Sequence, residues 1–470
     1  MSLHVELKSA KTDLLFQEDT EIELEFANRG GEPIFLLPPE YLGQVTPLRI
    51  TEVRTGEERL YRRAGRPRDR ERESPLAPGK SVTGSFRLLG RIPEPAPGEY
   101  ELSAFHEHGE DANRIESRPV RIKVHPTVPR NVALDTLQGE GMWGAWMNLG
   151  AQPPDVVLTL FDVAAGGGVS KVLPLAKATL HTRPVLSLPV NRGDRSRPWI
   201  AWIDGGAFVF LRVSPGSDPG RIELPGSEAE IVPALYVDAA GTATALVWLA
   251  EPGGRPSRFQ IVHLAAGEAR LGACGESVAR RPAWAMSHSF SDGTRLLTTL
   301  DDSREGATLS SRAWSESRVG PVDPLAAWKT RPVTAGATLN LNDVLHGWVL
   351  MREEKTGRLE LAGWKIDVER KFAEVDRQAV EWPLFEPIDR SLVRVTRTGA
   401  PAVLLCDVKG GWWFHYRGAC RPLPEPMRTT RLPLDVAFMG GEEPVLVCAE
   451  AGRGFRLRMM NGRPLPPSPL

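Results

Sequence analysis

The sequence predicts an all-β protein of two domains. A β-sandwich covers residues 1–124, a linker covers 125–130, and a ring of repeated hairpins covers 131–470. Three observations carry this reading. First, seven times after residue 150 an apolar run, a polar or Gly-rich turn and a second apolar run follow one another. The copies are 156-VVLTLF-161 to 171-KVLPL-175, 198-PWIAWI-203 to 207-AFVFLRV-213, 245-ALVWLA-250 to 258-RFQIVHL-264 and 295-RLLTTL-300 to 308-TLSSRAW-314. They continue with 347-GWVLMR-352 to 359-LELAGWKI-366, 402-AVLLCD-407 to 411-GWWFHY-416 and 444-PVLVCA-449 to 455-FRLRMM-460. Second, helical periods are nearly absent, while 45 Gly and 41 Pro punctuate short apolar runs, as many short strands require. Third, all thirteen Trp lie between residues 143 and 413, so the two parts have cores of different composition.

The N-terminal strands are 3-LHVELKS-9, 20-TEIELEFAN-28, 33-PIFLLP-38, 47-PLRITEV-53, 81-SVTGSFRL-88, 99-EYELSAFH-106 and 117-SRPVRIKV-124. In the second, Ile22, Leu24 and Phe26 alternate with three glutamates, so one face turns inward. The segments 75-PLAPGKS-81 and 95-PAPGEYELSA-104 place Pro-Gly turns ahead of late strands, and Tyr100 opens one of them. In this the domain resembles bacterial immunoglobulin-like accessory domains, and the resemblance implies a seven-stranded sandwich. The cysteine pair and core Trp of antibody domains are missing. The run 62-RRAGRPRDRERES-74 alternates both signs and reads as a solvated connection, with a docking loop as the alternative. The Pro-marked 125-HPTVPR-130 reads as the linker.

Beyond it, a further apolar run precedes each hairpin: 143-WGAWMN-148, 184-PVLSLPVN-191, 231-IVPALYVD-238, 283-AWAMSHS-289, 336-GATLNLND-343, 391-SLVRVT-396 and 434-LDVAFMG-440. Weaker runs such as 221-RIEL-224 and 268-EARLGA-273 follow. Four strands per repeat, recurring every ~40–55 residues, match the blade of a β-propeller. Residues 131–470 thus resemble seven-bladed β-propellers as a superfamily. They lack the Trp-Asp and Gly-His pairs of WD40 blades and the double glycine of kelch repeats. The run 131-NVALDTLQ-138 is expected to close the ring as the outer strand of the last blade. The segment 366-IDVERKFAEVDRQAVEW-382 has charges that suit a helix, but its place in the repeat predicts a strand or irregular structure.

No residue set reaches a named reaction. The segment 287-SHSFSDGTRLL-297 approaches the Ser-x-Asp-x-Gly-x-Thr-Trp repeat of sialidases, but its spacing fails and Asp292-Gly293 reads as a turn. Asp238, Asp292 and Asp343 end equivalent strands. They would come to one ring face, as turn residues or as a cation site. His106 and His108 lie two apart with Glu107 and Glu110 nearby, a metal spacing or two solvated rings. The Gly-rich 164-AAGGGVS-170 lacks the Lys-Ser/Thr of a phosphate loop. Trp412 and Trp413 point to opposite faces and read as packing against two neighbours rather than as a ligand platform. Cys406 and Cys448 hold matching places and read as small buried residues; with Cys274 and Cys420 they make no disulfide framework or zinc spacing. No catalytic, cofactor-binding or metal residue is therefore assigned.

The chain balances 58 Lys+Arg against 59 Asp+Glu, without the positive excess that phosphate backbones demand. Nucleic acid and membrane are not expected partners, and no apolar run reaches spanning length. The N-terminal 13 residues carry no secretory pattern, so a cytoplasmic location is expected. The expected function is a non-enzymatic scaffold or adaptor binding another protein through propeller loops. The alternative is a hydrolase or lyase at the propeller mouth, or a carbohydrate-binding protein.

Overall fold

The structure is a computed structural model. It describes residues 3–62, 73–92, 95–108, 113–134, 141–150, 152–162, 168–179, 183–189, 198–213, 217–226, 228–237, 242–250, 257–265, 268–278, 281–303, 305–382, 388–424, 431–439, 443–450, 454–460 and 463. The chain is all-β and divides into two compact units, one built on Met1–Val128 and the other on nearly all that follows.

The first unit contains β1 (Leu3–Ser9), β2 (Asp13–Leu15), β3 (Glu21–Asn28), β4 (Ile34–Leu36), α1 (Pro39–Val45), β5 (Leu48–Glu52), β6 (Glu58–Tyr61), β7 (Ser74–Leu76), β8 (Ser81–Arg87), β9 (Gly98–His108), β10 (Asn113–Glu116) and β11 (Val120–His125). One sheet runs β1-β3-β8 and a second β2-β11-β9-β5-β6, with β10 beside β9. The alternation in β3 does what the sequence implies. Ile22, Leu24 and Phe26 are fully buried and meet Leu48, Leu102 and Ile122 of the other sheet in one core. The short helix α1 was not expected. Its first turn begins at Pro39, where a missing N–H costs nothing. It lies so close to β8 that a Cβ at Gly43 would stand 2.1 Å from the Ser85 carbonyl oxygen, and one at Gly84 2.7 Å from that of Pro39. This glycine pair permits the approach.

The second unit is a series of antiparallel meanders. The first holds β12 (Pro129–Leu134), β13 (Gly141–Asn148), β14 (Asp155–Asp162) and β15 (Gly168–Lys177). Next come β16 (Val185–Pro189), β17 (Trp199–Asp204), β18 (Ala207–Arg212) and β19 (Gly220–Glu223), then β20 (Glu228–Val237), β21 (Ala243–Ala250), β22 (Ser257–Ala265) and β23 (Glu268–Val278). They are followed by β24 (Trp284–Ser289), β25 (Arg295–Ser303), β26 (Gly306–Trp314) and β27 (Asp323–Trp328), and by β28 (Arg331–Leu339), β29 (Leu345–Arg352), β30 (Leu359–Ile366) and β31 (Phe372–Val380). The last are β32 (Ile388–Val395), β33 (Pro401–Asp407), β34 (Trp412–Tyr416) and β35 (Ala419–Pro422), then β36 (Arg431–Met439), β37 (Glu443–Glu450) and β38 (Gly454–Met459).

The first strand of each meander touches the first strand of the next, and β36 touches β12. The meanders thus form a closed ring, the arrangement of a β-propeller. The parallel pairing of β16 with β20 also joins two meanders into one sheet. The middle strands are apolar on both faces because each face meets a neighbour. On β29, Leu345, Val349 and Met351 pack with Leu296, Leu300 and Leu309 of the preceding meander. Its other face puts Trp348 and Leu350 against Val393, Val403 and Leu405 of the following one. Trp412 and Trp413 divide in the same way. Trp412 joins Leu446 and Cys448, while Trp413 meets Trp382 edge-on at 5.8 Å.

Two expectations are corrected. Residues 131–134 belong to β12, the first strand of the first meander, rather than closing the last one. The middle pair of that meander is therefore β13–β14, one strand earlier than the hairpin at 156–175. Within the run 366–382, residues 372–380 are strand, since β31 is the outer strand of its meander, and 367–371 are the turn before it.

Two Gly-Trp dipeptides face each other in the fifth meander. Gly347 pairs with Trp364, and Trp348 with Gly363. Each indole lies over the opposite glycine: a Cβ at Gly347 would stand 2.0 Å from the Trp364 ring, and one at Gly363 2.8 Å from the Trp348 ring. Gly347→Ala should lower unfolding stability by about 1–3 kcal/mol through overpacking, read from the denaturant midpoint.

His288 is buried, and burial pushes its imidazole down to about 3. The unfolded imidazole takes its proton near the ordinary value, while the folded one stays neutral until about 3. The unfolded chain therefore binds more protons in between, and stability falls as pH falls. His288 should contribute a slope of about 1.4 kcal/mol per pH unit there. Unfolding of His288→Leu between pH 4 and 6.5 should show a flatter acid dependence than the parent.

Candidate functional site

Within a meander the strand direction alternates, so turns after first and third strands share one end of the ring. Four such turns have the same construction: 290-FSDGT-294, 340-NLNDV-344, 367-DVERK-371 and 396-TRTGA-400. In each, the first residue's N–H donates to the fifth residue's carbonyl at 2.9, 3.0, 3.1 and 2.9 Å. The fourth residue's N–H returns to the first carbonyl at 3.0, 3.3, 3.0 and 3.0 Å. Side chains reinforce all four, the 396–400 turn through the Thr396 hydroxyl, which accepts the Ala400 N–H at 3.0 Å. Asp292 accepts the Thr294 N–H at 2.8 Å. Asn340 accepts those of Asn342 and Val344, each at 2.9 Å. Asp367 accepts those of Glu369 and Lys371, each at 2.9 Å.

The construction needs a left-handed fourth residue. Gly293 and Gly399 supply it with φ of 83° and 95°, but the fifth meander uses Asp343 and Arg370, at φ of 57° and 66°. Such residues pay a steric cost that glycine avoids. Both side chains reach the 290–294 turn of the neighbouring meander. The Asp343 carboxylate accepts the Ser291 N–H at 3.1 Å to each oxygen, and also the Ser291 hydroxyl. Arg370 donates from Nη2 to Asp292 Oδ2 at 2.8 Å, and its guanidinium lies 3.5 Å above the centre of the buried Phe290 ring. The Thr294 N–H, then the Thr294 hydroxyl, and more weakly Arg370, hold the Asp292 carboxyl below the usual carboxylate range.

The clamp fixes two turns whose second residues are apolar and exposed. Leu341 is 83% exposed and Val368 57%. The result is a loop surface with two hydrophobic tips beside a solvent-facing ion pair.

The expected acidic residues divide. Asp292 and Asp343 do come to one loop cluster, but they grip the turn and its arginine rather than face each other across a bond. Asp238 lies outside the described residues, as do Glu110, residues 63–72 and 164–167. His106 meets Phe26 edge-on at 5.9 Å. Among the described residues no group of three His, Cys, Asp or Glu is placed to hold a metal. Cys406 and Cys448 are buried, and burial pushes the Cys406 thiol up to about 11. Among the described residues no helix is long and apolar enough to cross a membrane. Arg370 escaped the sequence reading. The signal was there: aligning the four turns shows a glycine column interrupted by Asp343 and Arg370.

No protein-family model matches this chain, and no curated protein matches it. Solved structures do. The α-L-arabinanase of Penicillium chrysogenum complexed with arabinobiose is 12% identical and covers 59% of this chain and 92% of its own, with a TM-score of 0.38. BBS1N in complex with ARL6DN is 12% identical over 73% of this chain and 94% of its own, at 0.40. YCF48 bound to D1 peptide is 11% identical over 71% and 96%, at 0.36. Likenesses this distant decide nothing about what this chain binds or catalyses.

Replacing Arg370 separates the clamp from its conformational cost. Arg370→Ala loses the clamp and keeps a side chain at the left-handed position. Arg370→Gly loses the clamp and relieves that position. The glycine variant should be the more stable of the two by about 1 kcal/mol, measured by parallel denaturant unfolding.

Proposed function

We propose that this chain is a non-enzymatic protein-interaction scaffold. An immunoglobulin-like sandwich over 1–124 and a linker over 125–130 precede a seven-bladed propeller over 131–470, whose turn face binds a protein partner. The observation that carries the reading is the pair of exposed tips, Leu341 and Val368, held in place by Arg370 and Asp343. Exposed apolar side chains on a pre-organised surface lower the ordering cost of association, and loops on a rigid frame suit recognition.

The finer fold assignments have their own support. The hydroxyl of Tyr100, near the start of β9, donates to the Ala96 carbonyl at 2.7 Å, the corner found in immunoglobulin-like sandwiches. Seven blades follow from reading each meander as one blade, with β36–β38 as the last. The cytoplasm suits a chain whose four cysteines are unpaired. Neither nucleic acid nor membrane is its partner.

The test is affinity purification of the tagged chain from its native cells, read by mass spectrometry, beside the double variant Leu341→Asp/Val368→Asp. A stoichiometric protein should accompany the parent and fall about tenfold or more with the variant, while both show the same melting curve. Equal recovery with both would remove the turn face from the reading. An empty purification together with a hit on a sugar array would favour the hydrolase, lyase or carbohydrate-binding alternative.

A further inference from the structure

The opposite end of the ring, where each first strand begins, carries a second recurrent feature. The seven starts align as 129-PRNVAL-134, 182-TRPVLS-187, 229-AEIVPA-234, 280-RRPAWA-285, 330-TRPVTA-335, 389-DRSLVR-394 and 430-TRLPLD-435. Their second position is arginine six times and glutamate once: Arg130, Arg183, Glu230, Arg281, Arg331, Arg390 and Arg431. Since the first strands succeed one another around the ring, these positions encircle one mouth; the side chains described there are those of Arg183, Glu230, Arg281, Arg331 and Arg390.

The side chains of Arg183, Arg281, Arg331 and Arg390 are 67%, 52%, 57% and 56% exposed. Arg331 meets Asp302 at 2.6 Å and Glu354 at 3.7 Å, and Arg390 meets only its neighbour Asp389, at 3.4 Å, among the described ion pairs. Glu230 is the informative member. One carboxylate oxygen lies 3.3 Å from Arg183 Nη1 and the other pairs with Arg281 Nη2, so arginines from the meanders on either side grip it together. Arg281 also lies 5.8 Å above the Trp248 ring. Each described arginine of the mouth thus already meets a carboxylate of this chain, and Glu230 shows two of them gripping one carboxylate together. Exposed ion pairs contribute little to stability, so ring stapling alone is a poor reason for six arginines. The guanidinium fork, in contrast, matches a carboxylate through two parallel hydrogen bonds.

We infer that this mouth binds a carboxylate-rich peptide segment, with the arginines of successive blades taking successive Asp or Glu side chains. A short acidic peptide fits better than nucleic acid, because the balanced charge of the whole chain gives no extended positive field to follow a phosphate backbone. The inference is independent of the turn-face reading, which concerns the other end of the ring.

The test is fluorescence anisotropy of the full chain with labelled octaglutamate at low salt, with octalysine as control. Octaglutamate should bind, and more weakly as salt rises. Arg183→Gln/Arg281→Gln should weaken binding about fivefold or more, and Arg390→Gln, a variant less involved in the frame, about threefold. Glu230→Gln should tighten it about threefold, because it releases two guanidinium groups. Leu341→Asp/Val368→Asp should bind octaglutamate like the parent, so failure of the turn-face reading leaves this result intact. The inference is overturned if octaglutamate does not bind, if the arginine variants bind it like the parent, or if Glu230→Gln gains nothing. It is overturned in favour of nucleic acid if a single-stranded oligonucleotide displaces octaglutamate more effectively than unlabelled octaglutamate does.

Discussion

Burial of both faces of the middle strands is the constraint on which this propeller rests. A strand such as β33, buried at every residue from Pro401 to Asp407, needs a neighbour on each side. Only a closed ring gives every meander two neighbours. The same constraint sets the use of tryptophan. A blade interface is wide enough for an indole, and several buried indole N–H groups find an acceptor there, although those of Trp202, Trp248 and Trp364 find none among the described residues. Trp146 donates to Thr159 at 2.8 Å, Trp314 to Ser287 at 2.7 Å and Trp348 to the Gly399 carbonyl at 2.7 Å. Small or polar residues at particular places are therefore part of the packing. Gly347 and Gly363 make room for rings, and Ser287 and Thr159 satisfy them.

Once the core is closed, its ends are set by turn chemistry. A five-residue turn with a left-handed fourth position recurs because it reverses the chain and satisfies its own backbone groups. Glycine is the low-strain occupant. Asp343 and Arg370 depart from that pattern in the same meander, and both spend their side chains on the turn next door. Local strain and long-range contact thus explain each other: neither residue would be favoured at its position without Ser291, Asp292 and Phe290 opposite.

Much of this was legible in residue patterns, and the failures have physical reasons. Hairpins between doubly apolar strands were visible because burial on both faces leaves continuous apolar runs. The first meander was read one strand late because the sequence of its third and fourth strands also reads as two runs around a Gly-rich stretch, which imitates the middle pair of the others. Helix α1 was missed because seven residues containing a glycine show no period, and what holds them is the close approach of Gly43 to β8. The clamp was partly visible, since Asp292 and Asp343 were singled out as residues that would reach one face. Arg370 was invisible as their partner because it stands 78 positions from Asp292, and sequence spacing says nothing of contacts between blades.

The two ends of the ring differ for a reason that follows from topology. At the turn end, short loops can be locked one to another, and the exposed character that results is apolar and local. At the other end, the first strands begin side by side around the mouth. A residue repeated at that position gains its effect from the ring, since the copies of successive meanders come to one mouth although each is ordinary in its own strand. Arginine at a strand start would be unremarked in an open sheet. Arranged in a circle, arginines of separate blades can act on one group together, as Arg183 and Arg281 do on Glu230. Both ends also carry contacts between blades, Arg370 on Asp292 at one and Glu230 between Arg183 and Arg281 at the other, so each joins neighbouring meanders as well as facing outward.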